Sequence, residues 1–391
     1  MKVTHLCRAF SKLPETFIYD VITELEQTRV DQTKVENEVL TFKRLNTKDR
    51  PFEKVQVLEP SSSMRFKAIL KKGLSRIGLS GFNASETLHA QRQELLYNYL
   101  QKNRPNVIHA HFGLQGYLIA SVALRLNIPF IVCFHGYDAF RLPKAPIWYS
   151  HYQEIFAAAS AVTVVSKYMM EHLKTLGCPA SKLHVIHVGK NIDDYHYRNT
   201  LNTPVRNFIS VGRLAEKKGF LDCLAAFKLL LKQYPDLKLK IVGTGELEPE
   251  IRSMLDAEGL HNNITLLGAL QHHKVKEALQ AADAFILCSK TGEDGDKEGI
   301  PTVLMEAQAM GLPCISTLHS GIPEVFPEVS KQLLAKEGDP VDIAEKIHTL
   351  LDMPEDTLEE IRLQGRKLVE EAFNLKIETA KLIRLMQTFI K

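Results

Sequence analysis

Two glutamates separated by seven residues, Glu298 and Glu306, flank the stretch Glu298-Gly-Ile-Pro-Thr-Val-Leu-Met-Glu306-Ala-Gln-Ala-Met-Gly311. Pro301 suits the first turn of a helix and Gly311 its end, which puts Glu298 in the approaching loop and Glu306 in the second turn. The N–H groups of Thr302, Val303 and Leu304 are then expected to face a phosphate, with the positive end of the helix behind them. A carboxylate on either side can accept hydrogen bonds from vicinal hydroxyls, Glu298 from a sugar and Glu306 from a ribose. A second segment, Ser210-Val-Gly212-Arg213-Leu-Ala-Glu-Lys-Lys218-Gly219, ends a strand in a glycine turn and sets two cations ahead of a helix. Arg213 offers a planar fork and Lys218 a point charge, together suited to a diphosphate whose leaving-group charge must be neutralised.

The two glutamates with Gly299-Ile300-Pro301 between them, the Glu-Ala-x-Ala-x-Gly-Leu-Pro run that follows and the later Gly321-Ile-Pro-Glu324 resemble the retaining glycosyltransferases of GT-B fold called family 4. The Ser/Pro-Glu-Thr-Phe form of Phe10-Ser-Lys-Leu-Pro-Glu15-Thr16-Phe17 looks like the exopolysaccharide and colanic-acid branch, where many relatives carry two glycines and a glutamate instead. The resemblance implies a hexosyl transfer from a nucleotide-diphosphate sugar to a glycan or lipid-linked acceptor, with a donor phosphate oxygen receiving the acceptor proton. It implies that Gly212, Arg213 and Lys218 grip the diphosphate, that Glu298, Gly299, Ile300, Thr302, Val303 and Glu306 hold sugar and nucleotide, and that Gly243, Gly245 and Leu270 lie beside the donor. It also implies that His135, in Phe134-His-Gly-Tyr-Asp138, stands against the donor sugar with its carbonyl near the anomeric carbon. Catalysis is expected of His135, Glu298, Arg213 and Lys218. Uridine donors are favoured over guanosine ones, GDP-mannose included, by family habit.

Glu15 and Thr16 are expected either to contact the acceptor or to cap the first helix. His109 and His111, in His109-Ala-His111-Phe-Gly113, end a strand and are acceptor-side candidates. The i, i+2 pair is read as placing its rings on opposite faces, so no zinc site is expected. Asp294-Gly-Asp296 has the spacing with which other transferases hold a divalent cation, but it lies in a loop beside Glu298, where Arg213, Lys218 and a helix end already supply positive charge. A loop-shaping role is expected, with no metal and no cofactor. Val242-Gly243-Thr-Gly245 lacks the third glycine of a dinucleotide fingerprint, which argues against a dehydrogenase.

These residues must be positioned by strands. Short Val/Ile/Leu-rich runs alternate with amphipathic stretches throughout, the pattern of βαβ units around parallel sheets. Strands are expected at 3–7, 35–42, 55–58, 107–110, 130–134, 161–165 and 183–187, and again at 208–211, 237–242, 264–267, 284–288, 314–316 and 332–335. The fold class is α/β: two Rossmann-like doubly wound domains facing a central cleft, with ligands at the carboxyl ends of the strands. The acceptor-binding domain is expected over 1–187 and the donor-binding domain over 188–373, with a hinge at His187 to Asn191. The helix at about 374–391 is too short to stand alone and should pack back on the first domain.

The chain has 391 residues, 45% hydrophobic and 24% charged, a globular balance. The net charge of +3 hides an asymmetry of about +9 in residues 1–187 against about −6 in the rest. Part of the excess lies in residues 64–76, where Phe66, Ile69, Leu70 and Leu74 fall at helical spacing among basic residues. That segment is either a surface helix with one packed face or a contact to anionic lipid, hence a cytoplasmic protein with a peripheral contact to the inner face of the membrane. No window suits a membrane span or signal peptide. Nucleic acid is not expected, since the basic residues lack interleaved stacking aromatics. The six cysteines are scattered singly and read as reduced, buried thiols. The rival readings are a GT-B epimerase or phosphorylase, and a non-catalytic sugar-binding relative.

Overall fold

The computed structural model describes residues 1–12, 15–59, 84–198 and 204–390. The basic segment 64–76 lies outside them. The chain divides into two compact units, one of residues 1–165, 170–186 and 379–391, the other of 166–169 and 187–378. The segment 166–169, assigned to the first domain on sequence grounds, thus groups with the second unit, as do 374–378.

The first unit carries a parallel sheet of seven strands in the order β3-β2-β1-β4-β5-β6-β7. These are β1 (Lys2–Cys7), β2 (Glu36–Thr41), β3 (Val55–Val57), β4 (Val107–His111), β5 (Phe130–Phe134), β6 (Ala161–Val164) and β7 (Leu183–Val185). In β4 and β5 every residue is buried, which is what helices on both faces of a parallel sheet require, and why these strands read as continuous runs rather than alternations. Val3, Val107, Ile131 and Ala161 form one core with Leu382, Ile383, Leu385 and Met386 of the helix Leu375–Gln387. The last helix therefore closes the first unit, as expected.

The second unit has six parallel strands in the order β10-β9-β8-β11-β12-β13: β8 (Asn207–Val211), β9 (Lys238–Val242), β10 (Ile264–Gly268), β11 (Ala284–Ile286), β12 (Cys314–Thr317) and β13 (Leu334–Ala335). One core joins the sheet to the helices Phe220–Leu230 and Pro340–Leu351, and another to the helix Thr302–Ala309. All thirteen predicted strands are present, most shifted by a residue or two at the ends. The six cysteines are free and buried. Among the described residues no helix is long and apolar enough to cross a membrane.

Candidate active site

In the second unit the informative residues gather at the carboxyl ends of β8, β9 and β11, as the strand-end rule requires. After β8 the chain turns through Gly212 and a short 3-10 turn, Glu216–Lys218, into the helix Phe220–Leu230. Gly219 has φ +64 and an added Cβ would lie 1.7 Å from the carbonyl oxygen of Cys288, so only glycine lets this turn press against the end of β11. That contact carries Lys217 and Lys218 to Glu298. Gly243, after β9, is equally confined: its φ is +139 and a Cβ would lie 1.8 Å from Gly212 O. Gly243 and Gly245 therefore let the β8 and β9 loops touch.

Glu298 is 8% exposed. Its Oε2 lies 3.3 Å from Lys218 Nζ and its Oε1 3.6 Å from Lys217 Nζ, and Lys217 also reaches Asp296 Oδ2 at 2.9 Å. Burial would raise the Glu298 pKa, but Lys218 and Lys217 outweigh it and hold the carboxyl below its usual range. Lys217 is pulled down by burial and up by Glu298 and Asp296, with a net rise, so it stays charged. The Glu298 backbone N–H donates to His319 Nε2 at 3.2 Å, and the Ser320 hydroxyl donates to Glu298 O at 2.7 Å. Since Nε2 of His319 accepts, its Nδ1 carries the proton, which goes to Glu337. Both the charge and the backbone of Glu298 are thus fixed.

The helix after this loop is Thr302–Ala309, with Pro301 at its N-cap and no side chain capping it. Thr302 and Val303 occupy its first turn as expected, but Leu304 N–H donates to Pro301 O at 3.1 Å and is not free for an anion. The tight 3-10-type start of the helix consumes that donor. The far end closes as a Schellman motif: Leu312 N–H bonds Ala307 O, Gly311 N–H bonds Gln308 O, and Gly311 has φ +79. Glu306 is buried and its Oε1 lies 2.5 Å from Lys190 Nζ. Lys190 is itself buried, its backbone pinned by hydrogen bonds to Phe373 and Leu375.

Arg213 is brought to the same strand ends but stands apart from the buried cluster. It is 61% exposed along its side chain and 3.7 Å from Glu246. Ile300 is buried against the core; Leu270 after β10 is half-buried. Asp294 accepts from the Asp296 N–H at 2.8 Å, shaping the loop, while Asp296 pairs with Lys217. Glu324 accepts from the N–H groups of Lys167 and Tyr168, both at 2.9 Å, and lies 3.7 Å from His187. Lys217, Lys190 and His319 escaped the sequence reading. Lys217 was a neighbour of the chosen lysine, whereas Lys190 and His319 belong to no motif and are placed only by the fold.

In the first unit His135 follows β5 with both ring nitrogens buried and without a hydrogen-bond partner, and burial takes its pKa down to about 3. Its ring lies against Phe17 and Phe112, at centroid distances of 4.5 and 4.7 Å. Asp138 fixes the turn by accepting from the N–H groups of His135, Gly136 and Gly113. Glu15 precedes the helix Thr16–Gln27 but does not cap it with its side chain; it pairs with Lys12 at 2.8 Å. The long side chain folds back to a cation rather than onto the helix N–H groups. Arg8, Lys12, Glu15, His111, Gln115 and Tyr137 line a pocket of ≈ 170 Å³.

His109 and His111 overturn the expectation that they point apart. Their ring centroids are 4.4 Å apart on one face of β4. Side chains alternate along a strand, so i and i+1 oppose each other and i and i+2 share a face.

The profile of the family Glycosyl transferases group 1 matches residues 191–368, and that of Glycosyltransferase Family 4 matches residues 54–194. The chain is 29% identical to the colanic acid biosynthesis glycosyltransferase WcaL of Escherichia coli, over 99% of this chain and 100% of that protein. It is 34% identical to the protein of the same name from Salmonella typhimurium, over 72% and 70%, and 29% identical to the amylovoran biosynthesis glycosyltransferase AmsK of Erwinia amylovora, over 99% of both. Among solved structures, Anabaena HepE in complex with UDP superposes with a TM-score of 0.74 at 16% identity, covering 99% of this chain and all of that one. Sucrose-phosphate synthase of Thermosynechococcus elongatus gives 0.76 at 17%, covering 99% and 98%. These likenesses identify two parallel-sheet α/β units of the GT-B class. With the paired glutamates seated on lysines at the strand ends, they show that the chain is a glycosyltransferase and belongs to family 4.

Proposed function

We propose that the protein transfers a hexosyl unit, with retention at the anomeric carbon, from a nucleotide-diphosphate sugar to a glycan or lipid-linked acceptor in cell-surface polysaccharide synthesis. The observation that carries the reading is the buried set Glu298, Lys217 and Lys218 beside the uncapped start of the helix Thr302–Ala309. As the nucleotide leaves, charge develops on the diphosphate; fixed cations and helix N–H groups stabilise it without reorganising. The same cations make a divalent ion unnecessary at the phosphates. Glu298, held ionised, accepts from sugar hydroxyls, and Glu306 from the ribose. In the first unit His135 is assigned to the donor sugar, and the pocket about Glu15 to the acceptor. A uridine donor is favoured, because related folds are solved with UDP and UDP-glucose; a GDP-mannose-dependent mannosyltransferase also stands among the relatives. The relatives named for colanic acid and amylovoran support an extracellular polysaccharide as the product class. A cytoplasmic site of action, with residues 64–76 touching the membrane face, goes with a lipid-linked acceptor.

The test is a panel of UDP- and GDP-sugars assayed by thermal shift with EDTA, then by transfer to an extract of lipid-linked glycans, with the anomeric configuration of the product read by NMR. One donor should raise the melting temperature in EDTA and give a product of unchanged configuration. Glu298→Gln should lower kcat by about 100-fold, the scale of losing one fixed transition-state partner. An inverted product, or stabilisation that EDTA abolishes for every donor, refutes the mechanism proposed.

A further inference from the structure

The ladder between β1 and β4 sets His5 opposite His109, and His111 follows on the same face. The three rings converge, with centroids 4.4 Å apart for His109 and His111, 5.3 Å for His5 and His109, and 5.4 Å for His5 and His111. Their residues are 0%, 3% and 1% exposed for His5, His109 and His111. Asn37 settles the state of the first ring. Its Nδ2 donates to Ile22 O at 2.8 Å, which turns its Oδ1 to His5 Nε2 at 3.1 Å. His5 therefore carries its proton on Nε2 and turns the lone pair of Nδ1 to His111 Nε2, 3.2 Å away, which donates to it until an ion displaces that proton. The hydrogen-bond chain stops there, since both nitrogens of His109 and Nδ1 of His111 are buried without a partner. Buried polar nitrogens in such number are costly unless something else satisfies them.

One ligand atom from each of the three histidines lies within 4.8 Å of the others. Two nitrogens bound to one tetrahedral zinc, with bonds of about 2.0–2.1 Å, stand about 3.3–3.4 Å apart; the His5–His111 separation matches. We propose that His5, His109 and His111 form a binding site for a transition-metal dication, zinc fitting best, with Asn37 as the partner that orients His5. Imidazoles suit zinc, cobalt, nickel and copper rather than magnesium or calcium. Fixing the outer nitrogen of a ligating histidine is what such partners do at metal sites. His111 also lines the pocket holding Arg8, Lys12 and Glu15. Three protein ligands leave a fourth position for water or an acceptor group. The site belongs to the first unit, whereas the lysines assigned to the diphosphate belong to the second.

The full chain, stripped with a chelator and dialysed, is titrated with zinc chloride and separately with cobalt chloride. Expected are one zinc per chain, a rise in melting temperature, and the intense visible absorption of four-coordinate cobalt. His109→Gln should weaken zinc binding by at least about tenfold, a loss seen even for orienting partners of ligands. His261→Gln, at an exposed histidine beside Asp256, should leave it unchanged. Far-UV circular dichroism tells loss of the ligand from loss of the fold. Should the buried variant unfold, the cobalt spectrum of the unaltered chain decides. No stoichiometric zinc and no cobalt absorption, or full-strength zinc binding by folded His109→Gln, overturns the proposal. Donor binding in EDTA, read separately, distinguishes failure here from failure of the transferase mechanism.

Discussion

The two units hold their buried polar groups in opposite electrical states. In the second, Glu298 is buried and held ionised by Lys218 and Lys217, and Glu306 is buried against Lys190. In the first, His5, His109, His111 and His135 are crowded together and neutral. Lys218 and Lys217 give Glu298 a counter-charge that outweighs desolvation, whereas the histidines have only one another and Asn37. A preformed set of opposite charges can exchange its internal partners for a charged ligand. A neutral set of imidazoles offers its free lone pairs to a cation or to a hydrogen-bond donor instead.

If the second unit depends on its internal pairs, Lys190→Ala should be the most damaging single change. It leaves Glu306 buried without its cation and should cost about 3–5 kcal/mol, measured by urea unfolding. Lys190→Met with Glu306→Leu should recover most of it; failure to do so would mean that packing rather than charge is at stake. A pH series probes the same contrast with a smaller effect. His187 is pulled down by burial but raised overall by Glu324 and Glu378, so the native state holds its proton more tightly than the unfolded chain. The stability it adds is complete below about pH 6.5 and is lost as pH rises through the higher native value. Unfolding midpoints measured between pH 6 and 9 should therefore decline with pH, and His187→Gln should flatten that decline. Arg213→Ala marks the lower bound. Its side chain is 61% exposed, so stability should change by less than about 0.5 kcal/mol, while the donor KM rises several-fold. A loss of stability instead would place Arg213 in the scaffold.

The sheet architecture was legible because every strand of a covered parallel sheet is an apolar run bounded by turn residues. Glu298 and Lys218 were legible because both sit at strand ends in motifs with fixed spacing. Lys190 and His319 were not, since each meets its glutamate only through tertiary packing, and no local pattern marks a lysine that will be buried. The histidine cluster was missed for a different reason. Its two β4 members lie on one face by simple alternation, but His5 joins them only through the pairing of β1 with β4. Leu304 shows the remaining gap: whether a helix starts in a wide or a tight turn, and so how many N–H groups it leaves free, depends on backbone detail that residue types do not fix.

The packing of Leu382, Ile383, Leu385 and Met386 against Val3, Val107 and Ile131 carries a consequence for synthesis. A ribosome emits the strands of the first unit early and the residues that complete their core last. Those four side chains are each worth about 1.5–3 kcal/mol when buried, so the nascent first unit must wait, incompletely sealed, while the whole of the second emerges. Folding strictly in order from the N-terminus would therefore leave the first unit open, and a stop codon just before residue 382 would spare the cores of the second unit while leaving that of the first unsealed.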